Sequence, residues 1–325
     1  MSGKKIYLIF LLFLVLAVYL FFKDGWEAWQ QLKKIEFLYI FYALLINMLC
    51  VSLDFLNWFY YLKLLLSKKI TWSLKKSIAI HLAGFSVDIL PAKVGTFSRA
   101  VLLKHLYNIP KRRGFAIQAS ALLTDLMAAL VVSGITALIA VEVVEKNLIN
   151  LWIILLLFFG IAIIVIKRQA LGIKKLFTWL FNTFLKASHQ ESIQGAKKDF
   201  LSLFTLSNLK LTLSIKLFSW CLLGCSFYLL LIGFGYSVNL PQTILAVSLS
   251  AIVGGLSMLP GGLGTTDLSL LGFAIVWGIP AEQALLIVFC YRLISFWYLL
   301  FIGNLVSQFI LLSGKQQLEA DNKSL

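Results

Sequence analysis

Two segments of the sequence share the pattern L-P-x-x-(V/L)-G-T: Leu90-Pro91-Ala92-Lys93-Val94-Gly95-Thr96 and Leu259-Pro260-Gly261-Gly262-Leu263-Gly264-Thr265. Each interrupts a long apolar run. Proline ends a helix because it lacks an N–H donor and clashes with the preceding turn, and glycine gives the backbone conformations that other residues avoid. In lipid, such a break persists only where protein or a water-filled cavity covers the freed polar groups. The structural break is therefore assigned to these residues: Pro91, Gly95, Pro260, Gly261, Gly262 and Gly264.

The composition is that of an integral membrane protein. Of 325 residues, 60% are hydrophobic and only 13% are charged, whereas soluble domains carry about 25% charged residues. The net charge of +15 comes mostly from lysine and arginine in short loops beside apolar runs. This is typical of cytoplasmic loops, so no nucleic-acid partner is expected.

The apolar runs predict an all-α protein with about six full spans and two broken segments, since a spanning helix needs ~20 apolar residues. Each arm of the first broken segment covers only ~15–21 Å, too short for a ~30 Å hydrocarbon core. We treat residues 1–325 as a single polytopic domain, with a first half at about 37–141, a cytoplasmic connecting loop at about 167–210 and a second half at about 211–312. The predicted spans are about 6–22, 37–62, 114–141, 148–166, 211–235 and 284–312.

The distribution of basic residues favours broken segments that return to the side they entered. With that topology, both termini and the basic stretches 63–76, 104–113 and 167–210 all lie in the cytoplasm, as the positive-inside rule requires. The two breaks then enter from opposite faces. Pro91 follows Phe37 by 54 residues and Pro260 follows Leu211 by 49. This spacing predicts an inverted-topology repeat, in which paired broken helices mark a transporter's substrate site.

Ionisable residues at membrane depth are costly and indicate function. Cationic side chains and helix N-termini favour an anionic headgroup, and the arginine fork suits phosphate. A second interpretation is that the buried acids and bases only pair with one another and hold the spans in register. The predicted substrate-binding residues are Lys93, Arg99, Asp125, Asp267 and Arg292, and further polar candidates in the apolar segments are Asp54, Asn57, His81 and Asp88.

Sequence motifs of catalysis are absent: there is no G-x-S-x-G, no H-E-x-x-H, no Walker loop and no dinucleotide fingerprint. The four cysteines lie in apolar segments without neighbours that would complete a metal site. We therefore expect no enzyme activity, no cofactor and no metal.

The second break resembles a family signature. Pro260-Gly261-Gly262-Leu263-Gly264-Thr265-Thr266-Asp267 is similar to the P-G-G-x-G-x-x-(E/D) motif of the flippase-like transmembrane domain of lysylphosphatidylglycerol synthases. The stretch from Pro91 to Arg99 is similar to its P-x-R-x-G-E-x-x-R motif, with Lys93 in place of arginine and Thr96 in place of glutamate. Tyr291-Arg292 matches a third feature.

The resemblance implies a multi-pass protein of the cell (inner, cytoplasmic) membrane that moves phospholipids or polyprenyl-phosphate-linked lipids between leaflets. Its partners are then membrane lipids with anionic headgroups. The full synthases add a soluble aminoacyl-transfer domain, which is not expected here. Two alternatives remain open: a membrane-embedded lipid-modifying transferase, and an accessory subunit whose partner is a lipid- or glycan-synthesis enzyme.

Overall fold

The computed structural model describes residues 36–65, 73–90, 95–140, 190–257 and 259–323, and within these ranges it contains helices and turns but no strand. The predicted all-α class is confirmed. The helices are α1 (Phe37–Leu65), α2 (Leu74–Gly84), α3 (Ser98–Tyr107), α4 (Lys111–Ile139), α5 (Gln190–Leu203), α6 (Leu206–Gly233), α7 (Leu240–Leu256), α8 (Thr265–Val276), α9 (Ala281–Arg292) and α10 (Tyr298–Lys323).

Four helical segments are long and apolar enough to cross a membrane: Phe37–Leu65, Lys111–Ile139, Leu206–Gly233 and Ala281–Ile310. They coincide with four of the six predicted spans. The other two predicted spans, 6–22 and 148–166, lie outside the described residues. The last segment joins α9 to α10 through a π-helical turn at Leu293–Trp297, a feature that often occurs at functional sites.

The first broken segment is a helical hairpin, and contacts along its whole length align the two arms. At the open end, the Tyr107 hydroxyl at the end of α3 donates a hydrogen bond to the Ser73 carbonyl at the start of α2, at 3.1 Å. Further in, Arg99 Nε donates to the His81 carbonyl at 3.1 Å. At the tip, Gly95 lies against the backbone of Val87. The arms therefore run antiparallel and begin and end side by side.

Gly95 is required for space. A Cβ at this position would collide with the carbonyl group of Val87, in the 3-10 turn Phe85–Val87. Pro91, the other predicted break residue of this segment, lies outside the described residues.

The second break depends on backbone conformation. Gly261, Gly262 and Gly264 have φ values of +59°, +64° and +82°, in the left-handed region that favours glycine. Helix α8 begins directly after Gly264, and the Asp267 side chain accepts a hydrogen bond from the Gly264 N–H at 2.8 Å. The hydroxyl group of Ser257, at the end of α7, lies 2.9 Å from that of Thr265, at the start of α8. The chain therefore turns back on itself at this break as well.

Polar side chains join the long helices across the interior. Asn47 of α1 donates to the Ser226 hydroxyl of α6 at 2.5 Å. The Tyr61 hydroxyl contacts Thr124 of α4 at 2.7 Å and Thr212 of α6 at 3.0 Å. Interhelical hydrogen bonds of this kind hold helices together where lipid supplies no hydrophobic driving force between them.

Part of the predicted connecting loop is helical. Residues 190–203 form α5, which packs on α4 and α1 through buried Ala196, Phe200 and Leu203. Helix α6 begins at Leu206, where the Thr205 side chain caps it by accepting from the Asn208 N–H. Residues 167–189 lie outside the described part of the chain.

Candidate functional site

A cavity of about 320 Å³ lies between the long helices and receives residues from both broken segments. The first break contributes Thr96 and the second contributes Gly261 and Gly262. The two interruptions, far apart in sequence, therefore border one space. Six charged side chains line it: Asp54, Asp88, Arg99, Asp125, Lys216 and Arg292.

The first charged group is a cluster around Lys216. Its ammonium group pairs with Asp54 Oδ1 of α1 and lies 3.1 Å from Asp125 Oδ1 of α4. On its other oxygen, Asp54 lies 3.4 Å from His81 Nε2. Lys216 and His81 are 5% and 1% exposed. Four residues from four helices thus form one buried ionic cluster.

Arg99 forms the second charged feature. It is 3% exposed, and its guanidinium carbon lies 4.8 Å from the centre of the Phe85 ring. Its Nε donates a hydrogen bond to the His81 carbonyl, whereas its Nη2 is buried with no hydrogen-bond partner among the described residues. The Oε1 atom of Gln118, which also lines the cavity, is likewise unpartnered within the described ranges. A buried donor and a buried acceptor at one cavity suit a polar ligand.

Arg292 forms the third feature and connects α9 to the second break. Its Nε lies 2.8 Å from Asp267 Oδ1, and its Nη2 donates to the Gly261 carbonyl at 2.9 Å. The guanidinium group also lies 4.5 Å from the centre of the Phe296 ring, in the π-helical turn. Arg292 therefore holds the tip of the second break and one end of α8 in place.

The structure brings three of the five predicted substrate-binding residues to the cavity: Arg99, Asp125 and Arg292. Asp267 pairs with Arg292 and accepts from the Gly264 N–H at the start of α8. Its role as a substrate contact stays a prediction. Lys93 lies outside the described residues.

Lys216 is the charged cavity residue that the sequence interpretation missed. It lies within the predicted span 211–235, six residues after Lys210 at the end of the basic stretch 167–210. The available signal was its position: a lysine between Ile215 and Leu217 in an apolar run is an ionisable group at membrane depth.

Among the described residues, no group of three histidine, cysteine, aspartate or glutamate side chains is placed to hold a metal ion. Lys216 pairs with Asp54 and Asp125, and Arg292 pairs with Asp267. The arrangement suits binding of a polar or charged ligand between hydrophobic helices.

These features define a multi-pass α-helical membrane protein with a charged interior cavity beside two interrupted helices. The model of the lysylphosphatidylglycerol synthase TM region family matches residues 7–303. The chain belongs to this family, and the resemblance inferred from the two break motifs is confirmed.

The chain is also similar to a UPF0104 membrane protein of Methanothermobacter thermautotrophicus, with 34% identity over 93 residues. The aligned stretch covers 29% of this chain and 28% of that relative. The similarity supports a membrane protein and assigns no activity.

Proposed function

We propose that the protein is a lipid flippase or lipid transporter that moves phospholipid or polyprenyl-phosphate-type lipids between the leaflets of the cell membrane. The observation that carries this proposal is the cavity: two interrupted helices border one space, lined by six charged side chains, in a chain whose long helices are apolar. A lipid headgroup needs such a polar space to cross the hydrocarbon layer, while its tails remain in lipid. In this proposal the protein transports lipid and catalyses no reaction.

Arg99 is the proposed contact for an anionic headgroup. Lys216 is engaged by two carboxylates, and Arg292 is engaged by Asp267 and the Gly261 carbonyl. Arg99 retains a buried N–H group without a partner among the described residues. Because a guanidinium group binds phosphate through its planar array of donors, Arg99 is the cation best placed to receive a lipid phosphate. Lys93 stays a predicted second contact.

We further propose that the two broken segments are re-entrant and belong to an inverted-topology repeat. The order of helix lengths supports this. In the first half, α1 is long, α2 and α3 are short and α4 is long. In the second half, α6 is long, α7 and α8 are shorter, and α9 with α10 forms a long segment. The hydrogen bond between Tyr107 and Ser73 supports a first segment that leaves on the side from which it entered. With basic loops inside, both termini are cytoplasmic.

Cysteine labelling tests this topology. In a variant without the four native cysteines, Lys76→Cys at the start of α2 and Lys111→Cys at the start of α4 are expected to react with a membrane-impermeant maleimide from the cytoplasmic side. Glu282→Cys, at the start of α9, is expected to react from the outer side. All three positions are exposed. If Lys76→Cys and Lys111→Cys react from opposite sides, the first segment crosses the membrane and the repeat is wrong.

Transport is tested with purified protein in liposomes that contain a fluorescent phospholipid, by following the accessibility of the lipid to an external quencher. Arg99→Gln is expected to lower the rate by about tenfold or more, the loss typical of a hydrogen bond to a charged group. The matched control is Arg112→Gln, because Arg112 is not among the residues that line the cavity and its contact with Asp199 is long, at 3.8 Å.

The outcomes distinguish the candidate functions. Lipid movement that Arg112→Gln retains and Arg99→Gln loses supports the flippase. An equal loss in both variants contradicts the role of Arg99. Absence of movement for phospholipid and for a polyprenyl-phosphate lipid, with a donor lipid covalently changed, identifies a transferase. Absence of both, with co-purification of a lipid-synthesis enzyme, identifies an accessory subunit.

A further inference from the structure

We propose that the cluster of Asp54, Lys216, Asp125 and His81 is a proton-binding site that couples lipid movement to a proton gradient. This inference rests on the proposed transport function and adds its energy source. The cluster adjoins the phosphate contact proposed at Arg99, which donates to the His81 carbonyl, and its own ligand is H⁺ taken from water.

The charge balance of the cluster favours proton uptake. Two carboxylates share one ammonium group, so with His81 neutral the cluster carries one negative charge in excess. Isolated charge in a low-dielectric interior is costly, and two acids at one site favour protonation of one of them. A single proton on Asp54 or Asp125 removes the excess charge. The site therefore has the capacity for one proton.

The groups around the cluster limit what else can balance that charge. Helix α1 contributes Cys50 and α2 contributes His81, whose Nδ1 is buried and unpartnered among the described residues. Helix α3 contributes Arg99, whose positive charge acts on both Asp54 and Asp88. With Arg99 and Asp88 both counted, the described groups are three carboxylates and two cations, so one negative charge is still in excess. Further titratable groups near the cluster are Tyr61 of α1, Cys225 of α6, and Tyr291 and Tyr298 near the π-helical turn. Asp199 of α5 is engaged with Arg112.

The position of the cluster provides the coupling. Asp54, His81 and Asp125 belong to the first half, whereas Lys216 belongs to the second. With both carboxylates ionised, Lys216 links α6 to α1 and to α4. When a proton binds one carboxylate oxygen, Lys216 keeps its own protons and loses one of its two ionic partners, so one link between the halves weakens. Release of that proton to the other side restores the link. The proton therefore binds more tightly to the arrangement in which the halves are less strongly linked. Because a ligand shifts a protein toward the state that it binds more tightly, protonation favours that arrangement.

The second ion pair of the cavity lacks these properties. Arg292 pairs with one acid, Asp267, so the pair is neutral. Asp267 also accepts from the Gly264 N–H, and both residues belong to the second half. Protonation there would disturb a helix cap and would not release the halves from each other. The coupling is therefore assigned to the cluster at Lys216.

Transport measurements in the presence of a pH gradient test the proposal. Full-length protein is reconstituted with fluorescent phospholipid in liposomes that hold an internal pH dye. For one proton per lipid, a gradient of about one pH unit is expected to bias the lipid distribution by up to ~tenfold, and a protonophore is expected to remove the bias. Asp54→Asn and Asp125→Asn are expected to abolish the bias, whereas Asp199→Asn, the matched acid outside the cavity, is expected to retain it.

A second measurement does not depend on transport. Infrared difference spectra are recorded over a pH step above about 6, where exposed carboxylates with pKa values near 4 stay ionised. They are expected to show a carboxylic-acid C=O band in the wild type and in Asp199→Asn. Asp54→Asn or Asp125→Asn is expected to remove it. The neutral variant Asp54→Asn/Asp125→Asn/Lys216→Gln removes the charge without leaving an unpaired ion, so its loss of the band is not explained by misfolding.

The outcomes separate this proposal from the function on which it rests. Lipid movement that ignores the gradient, or a band that persists in both single variants, overturns the proton site and leaves the flippase intact. A band lost in these variants, in a protein that moves no lipid, overturns the flippase and retains the proton site. Gradient-dependent movement that is lost with Asp54 or Asp125 supports both.

Discussion

Lys216→Met is expected to lower the free energy of unfolding by about 3–5 kcal/mol and to abolish lipid movement, because it leaves Asp54 and Asp125 as buried carboxylates without their shared cation. Lys216 is 5% exposed and joins three long helices. The methionine side chain fills a similar volume, so the loss comes from charge and not from a void. The measurement is the unfolding midpoint in detergent, followed by size-exclusion chromatography of the fluorescently tagged protein.

The control for this prediction lies on the same helix. Lys210 is exposed near the start of α6, and Lys210→Met is expected to change the free energy of unfolding by less than ~0.5 kcal/mol. The neutral variant Asp54→Asn/Asp125→Asn/Lys216→Gln is expected to recover part of the stability that Lys216→Met loses, since it leaves no buried ion unpaired. Equal stability of Lys216→Met and Lys210→Met would contradict the buried cluster.

Gly95→Ala is expected to destabilise the first hairpin by about 3 kcal/mol, at the upper end of the usual cost of overpacking. The added Cβ collides with the backbone carbonyl of Val87 and comes within 2.8 Å of the Asp88 nitrogen. Backbone atoms cannot rotate away as a long side chain can, so the tip has to open. The measurement combines thermal unfolding with hydrogen exchange of peptides that cover α2 and α3.

Gly272→Ala provides the matched control. Gly272 lies in α8 with no atom within 4 Å of an added Cβ, and alanine is about 1 kcal/mol better than glycine inside a helix. The control is therefore expected to leave stability unchanged or raise it. If Gly95→Ala behaves like Gly272→Ala, the tip of the first hairpin is not closely packed against Val87.

Local sequence patterns predicted most of the helical architecture. The apolar runs at 37–62, 114–141, 211–235 and 284–312 are each within a few residues of a long helix, because the length and hydropathy of a spanning helix are properties of the segment itself. The second break was also predictable, since a proline and three glycines impose it through their own backbone preferences. The family motif added the expectation of a lipid-related membrane protein.

Contacts between distant segments were not predictable in the same way. Gly95 looked like a residue chosen for backbone freedom, and the tertiary structure shows that it makes room for Val87. The sequence predicts Asp267 as a ligand contact, and the structure adds that its carboxylate caps α8 and pairs with Arg292. These roles depend on which atom lies opposite, and spacing along the chain does not determine that.

The sequence by itself determined that this is a membrane protein of helices broken at two related places, because hydropathy, proline and glycine act on the chain locally. Only the tertiary structure decided which charges meet. Lys216 is separated by 162 residues from Asp54. Either charge, buried without its partner, would be costly in a low-dielectric interior. Their pairing is a consequence of how α1, α4 and α6 pack.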